Sequence, residues 1–139
     1  MRSTNIFLIV FTIAFSGCSL PKDEKPLNVI IVLVDDMGYG DIAAHGNPML
    51  KTPNFDKLHE VSARFTNFAV SPTCAPTRAA IMTGSHEFLV GVTHTISPMN
   101  LMDAESITIA ELFQKKGYKT GLFGKWHLGQ NDNYGPWFQ

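Results

Sequence analysis

Leu27-Asn28-Val29-Ile30-Ile31-Val32-Leu33-Val34 runs almost unbroken through apolar, largely β-branched residues and then stops at Asp35-Asp36. A stretch that is apolar at odd and even positions alike has no wet face, which is the pattern of a strand covered on both sides in a parallel sheet. Met37-Gly38-Tyr39-Gly40-Asp41 follows, and its glycines permit a sharp turn and close approach of backbone to a ligand. In open α/β sheets ligands collect at the carboxyl ends of strands, and the two acids fall at such an end.

Working outward, Thr52-Pro53 offers an N-cap and a first-turn proline, and Phe55, Leu58 and Val61 recur at helical spacing. These predict a helix from Pro53 to about Ala63. Phe65 to Val70 reads as a second strand leading into Ser71-Pro72-Thr73-Cys74, and Pro76 to Met82 as a short helix with Cys74 at its N-terminus. Thr108 and Glu111 have capping-box spacing, Gly117 is placed to stop that helix, and Tyr118 to Phe123 is a third strand candidate. Strands alternating with helices predict an α/β fold with a mostly parallel sheet flanked by helices. Gly129 to Gln139 is polar and aromatic with no terminating pattern, so residues 27–139 read as the N-terminal part of a longer domain.

The chain has 139 residues, 45% of them hydrophobic, enough for a buried core. Its formal net charge of -1 gives no basic field, which excludes charge-driven binding of nucleic acid. Arg2 followed by the apolar run Ile6 to Phe15 reads as a secretory signal over residues 1–17, and that run is too short to cross a bilayer as a helix. Phe15-Ser16-Gly17-Cys18 resembles a bacterial lipoprotein signal, in which the cysteine is cleaved at its amino side and acylated. Phe15 departs from the usual leucine. The alternative is an incidental thiol in a plain signal peptide. Several acyl chains on Cys18 would anchor the protein to a membrane at the periplasm or cell surface, with residues 18–26 as a solvated tether. Cys74 is then the only other thiol, and an unpaired thiol in an oxidising compartment is either buried or chemically used.

Asp35 and Asp36 are adjacent acids, and two unit charges about 4 Å apart at an effective dielectric near 20 repel by roughly 4 kcal/mol. A hard divalent cation would offset that, since calcium and magnesium prefer carboxylates; the plainer reading is an exposed acidic turn. Cys74-Ala75-Pro76-Thr77-Arg78 places a thiol near a helix N-terminus and an arginine, both of which favour thiolate. Its plainer reading is a small buried core cysteine.

Cys74-x-Pro76-x-Arg78, continued as Ala79-Ala80-Ile81-Met82-Thr83-Gly84, resembles the first signature of the formylglycine-dependent sulfatases, which have an alkaline phosphatase-like fold. Gly117-Tyr118-Lys119-Thr120-Gly121-Leu122-Phe123-Gly124-Lys125-Trp126-His127-Leu128-Gly129 resembles the second, and Asp35 to Asp41 resembles the stretch that holds that family's first calcium ligands. The similarity runs from about Asn28 to the end.

The resemblance implies that a maturation enzyme oxidises Cys74 to formylglycine, and that Asp35, Asp36 and the modified Cys74 ligate one calcium ion. It implies that Arg78 holds the modified residue, Lys125 binds the sulfate and the nucleophile's oxygen, and His127 hydrogen-bonds the diol. The hydrated aldehyde would attack the sulfate ester in line, and its second hydroxyl would then expel sulfate and restore the aldehyde. Without the flanking pattern, Lys125 would read as a solvated lysine and His127 as a structural histidine. His45, His59, His86 and His94 share no metal-ligand spacing and read as structural or surface residues; Trp126 reads as packing.

The family's further metal ligands, an Asp-Asn pair, and a further substrate-binding histidine and lysine do not occur here, so the 139-residue piece alone is expected to be inactive and to bind calcium weakly. The substrate class implied is an aryl or sugar sulfate ester. Alternatives are a phosphonate or phosphodiester hydrolase of the same fold, or a non-catalytic surface lipoprotein.

Overall fold

Pro53–Val61 forms the first α-helix, α1. Pro53 stands where the first turn has no use for its missing N–H. Thr52 takes the N-cap position, but its hydroxyl does not cap. It accepts from the Ala43 N–H at 2.9 Å and donates to Asp56 Oδ1 at 2.9 Å, while Asp56 also accepts from the Ala44 N–H at 2.9 Å. These bonds clamp α1 to the short 3-10 turn Ala43–His45. The helix stops at Val61, short of the expected Ala63, because Ser62 turns extended and donates its hydroxyl back to Leu58 O.

The computed structural model describes residues 25–130 and 133–136. The expected signal peptide over 1–17 and the acylation at Cys18 lie outside the described residues. The chain divides into two units, Met1–Leu33 and Val34–Gln139. In the first, residues 25–33 carry no helix or strand, and Leu27 to Leu33 leave their apolar side chains exposed.

The second unit is built around α2, Cys74–Thr83. It begins earlier than the sequence predicts, so Cys74 is the first helical residue. Pro76 still falls in the first turn, where it breaks no bond. Gly84 closes the helix at φ 65, its N–H reaching Ala80 O. Ala75 and Ala79, one turn apart, are fully buried on one face. Cys74 and Arg78, also one turn apart, project together on the neighbouring one.

Beyond α2 the chain makes the 3-10 turn Glu87–Val90 and then a loop tied back by Asp103 N–H to Val90 O and Met102 N–H to Leu128 O. Val90, Val92, Met102 and Leu128 close over Ala75 and Ala79 as the core, with Met82 and Trp126 packed against it.

The third helix, α3, is Ile109–Lys115, and both bonds of its capping box form. The Thr108 N–H donates to Glu111 Oε2 at 2.6 Å, and the Glu111 N–H to Thr108 Oγ1 at 3.4 Å. Gly117, at φ 83, ends it with its N–H on Gln114 O. Thr108→Ala is expected to cost about 1 kcal/mol of stability, read as a lower Tm, with Thr108→Ser near wild type. The Thr108 N–H and hydroxyl hold the Glu111 carboxyl below the usual carboxylate range. A depressed folded value means that this contribution is complete above the unfolded carboxyl's pKa and is lost as pH falls through the folded one. The Thr108→Ala deficit should therefore shrink in acid.

No strand forms among the described residues at Leu27 to Val34, Phe65 to Val70 or Tyr118 to Phe123. The parallel sheet expected from sequence is thus not seen there. A strand exists only through ladder bonds to a neighbour, and apolar patterning supplies the side chains for a buried sheet without supplying that neighbour. Phe65, Phe68, Val70 and Phe123 accordingly remain exposed.

Candidate functional site

Cys74 Sγ is the centre of a close set of polar groups. Thr95 Oγ1 lies 3.2 Å from it, His127 Nδ1 3.3 Å and Lys125 Nζ 3.4 Å. Lys125 Nζ also donates to Asp35 Oδ2 at 2.9 Å, and Arg78 donates to Asp35 Oδ1 at 3.0 Å. A second Arg78 nitrogen donates to the carbonyl of Lys125 at 2.5 Å. Arg78 therefore fixes both the carboxylate and the backbone that carries the lysine.

The sequence's candidates Asp35, Cys74, Arg78, Lys125 and His127 are thus brought together. Asp36 is not joined to them: its side chain makes no hydrogen bond or ion pair among the described residues. Asp36 (φ 54) and His127 (φ 63) are nonetheless the non-glycine residues held in left-handed backbone among the described residues. Such a conformation costs about 1–2 kcal/mol, so the neighbours must impose it. For His127 they do. Leu128 is fully buried, the Trp126 indole donates to Tyr134 O at 2.9 Å, and Gly129 at φ 125 lies so near Tyr134 that a Cβ there would come within 2.2 Å of it.

The electrostatics follow from these contacts. The Lys125 ammonium first, and the Arg78 guanidinium second, hold the Asp35 carboxyl below the usual carboxylate range. Asp35 in turn raises Lys125 above the ordinary lysine range, so the ammonium stays charged. Thr95's hydroxyl has the largest influence and pulls the Cys74 thiol down; burial opposes it, and Lys125 adds a further lowering, so the net direction is down. Two cations share one carboxylate, which leaves excess positive charge beside Cys74, suited to an anionic group.

Family comparison agrees with this chemistry. The sulfatase family model matches residues 27–137. The chain belongs to the sulfatase family. It is 37% identical to dog arylsulfatase G over 140 residues, which cover 91% of the chain and 26% of that protein. It is 39% identical to human arylsulfatase A over 109 residues, 76% of the chain and 22% of that protein, and 40% identical to human arylsulfatase D over 116 residues, 77% and 19%. The chain thus spans roughly a quarter or less of the length of these relatives. No solved structure gives a significant match. Family membership implies an alkaline phosphatase-like fold.

Sulfatases generally use formylglycine and calcium, and the donor set bears on the metal. Asp35 and Asp36 offer the oxygen chemistry that a hard cation takes. Both Asp35 oxygens are engaged by cationic donors, however, and among the described residues no group of three or more His, Cys, Asp or Glu side chains could hold a metal ion. The described residues therefore fit a fraction of a calcium shell and do not make a site by themselves.

The histidines outside this set have local partners. His45 Nδ1 lies 2.8 Å from Tyr39 O, His59 is beside Arg64, and His86 and His94 accept from the Phe88 and Ile96 N–H groups. Sequence reasoning missed Thr95, since a threonine 21 residues from Cys74 and 32 from His127 carries no motif. It also missed Glu87, which accepts from the Ser71 hydroxyl at 2.6 Å and braces the segment entering α2.

Proposed function

We propose that the full-length protein is a sulfuric ester hydrolase whose nucleophile is generated by oxidation of Cys74 to formylglycine. The observation that carries this reading is the setting of Cys74 Sγ, with an ammonium, an imidazole and a hydroxyl all within 3.4 Å. Sγ stands here for the hydroxyl oxygens of the hydrated aldehyde. One hydroxyl of that group attacks sulfur and displaces the alcohol; deprotonation of the second expels sulfate and leaves the aldehyde, which water rehydrates, so each turnover consumes one ester and one water.

Lys125 faces the position where the anionic group must sit and offsets the charge that grows on its oxygens. Asp35 holds that ammonium in place, and Arg78 fixes the carboxylate and the Lys125 backbone. His127 accepts a hydrogen bond from the attacking hydroxyl at its ring nitrogen. Asp35 and Asp36 are the carboxylates this chain would contribute to a calcium ion, which would supply further positive charge to the sulfate. Export through residues 1–17 and lipidation of Cys18 rest on the sequence alone and complete the reading.

The test is turnover of nitrophenyl sulfate by the full-length protein, compared with phosphate monoesters and phosphonate diesters, together with the mass of the peptide containing Cys74. Sulfate should be the preferred ester, and the peptide should be lighter than the thiol form by about 18 Da in protein from its native host. Preference for the phosphonate diester would move the reaction class, and an unmodified thiol without turnover would leave a binding protein.

A further inference from the structure

His127 has two ring nitrogens, and among the described residues their side-chain partners are Cys74 and Thr95. Thr95 Oγ1 lies 3.3 Å from Nδ1 and 3.2 Å from Nε2, and the Cys74 sulfur lies 3.3 Å from Nδ1. With the 3.2 Å separation between Thr95 Oγ1 and Cys74 Sγ, these two atoms and His127 Nδ1 form a nearly equilateral triangle. Within the reading above, the side chain at position 74 is the reacting group, and its bonding changes during turnover. Of the two partners among the described residues, Thr95 is the one that does not react.

We propose that Thr95 is a positioning residue, whose hydroxyl fixes the orientation of the His127 ring against the side chain at position 74. This deepens the sulfatase reading and rests on it for its kinetic consequence. A hydroxyl donates one proton and accepts others, so it can bridge an imidazole nitrogen and a neighbouring oxygen at once. Such a bridge matters because the left-handed backbone of His127 aims Cβ, while a side-chain partner is needed to orient the ring beyond it.

Thr95 itself is well held. It follows the buried Val92, and its loop is closed by the Thr93 and His94 N–H groups on Met99 O, at 2.9 and 3.1 Å. Buried Asn100 and Met102 secure the returning side. A β-branched residue also has fewer χ1 states than serine, so the hydroxyl is aimed as well as present.

The experiment compares Thr95→Val, which keeps the shape and removes the hydroxyl, with Thr95→Ser in the full-length protein. Rates are taken per modified site, with the Cys74 peptide mass giving the modified fraction. Thr95→Val should lower kcat on nitrophenyl sulfate by about 10- to 100-fold with KM little changed, and Thr95→Ser should recover most of the loss. A kcat within twofold of wild type for Thr95→Val, or a Thr95→Ser loss as deep as the valine loss, overturns the proposal.

A second readout does not need turnover. In ¹⁵N-histidine-labelled protein, the His127 ring signals of Thr95→Val should be shifted and broadened relative to wild type, with unchanged Tm. Unaltered ring shifts in Thr95→Val contradict the positioning role. A ring that responds in a wild-type protein with no sulfate turnover retains the role and rejects the sulfatase reading instead.

Discussion

Cys74→Ala in the full-length protein is expected to lower steady-state turnover of nitrophenyl sulfate by roughly 10⁴- to 10⁶-fold, the scale on which loss of a covalent nucleophile acts. The substitution removes the atom on which Lys125, His127 and Thr95 converge and leaves no group that an oxidising enzyme could convert to an aldehyde. The fold should tolerate it. Cys74 is only partly buried, outside the core that Ala75 and Ala79 help to form, and alanine suits a first helical turn. The measurement is kcat beside the thermal midpoint of both proteins. Turnover within tenfold of wild type in a folded Cys74→Ala variant would mean that position 74 is not the nucleophile.

Lys125→Met carries the next largest expectation, a loss of about 10²- to 10³-fold in kcat. The methionine keeps the stem and deletes an ammonium that reaches both Cys74 Sγ and Asp35. Arginine should not restore the rate. Its planar fork cannot place a point charge between two acceptors as lysine does, and it would meet Arg78 on the same carboxylate. The variant also removes the leading cause of the depressed Asp35 carboxyl. Both side chains of that pair are more than a third exposed, so solvent screens their attraction, and the loss should fall on rate far more than on stability. A Lys125→Met protein that keeps its kcat but unfolds several degrees earlier would assign the lysine a structural role.

Much of this site was legible because its residues sit in two short motifs. Cys74 and Arg78 are one helical turn apart, so any helix there puts them on one face, and Lys125 and His127 are separated by a single residue. Local geometry carries such spacing without help from the rest of the chain. The capping box at Thr108 and the stop at Gly117 were legible for the same reason, since their bonds close within a few residues.

The sheet was another matter. Val29 to Val34 has strand composition, yet a ladder needs a neighbouring strand, and the described residues show none at any of the three apolar stretches. The exposed Phe65, Phe68 and Phe123 show how composition can state a preference that local structure cannot satisfy.

The sequence by itself determined the capping box that starts α3 and the glycine that stops it, the one-turn spacing of Cys74 and Arg78, and membership of the sulfatase family through motifs of contiguous residues. Only the tertiary structure decided that Lys125 and Arg78 meet on Asp35 and that Thr95 reaches both Cys74 and His127. Contacts between residues tens of positions apart depend on how the core of Ala75, Ala79, Val92, Met102 and Leu128 closes. That closure is a property of packing in three dimensions, to which no spacing along the chain corresponds.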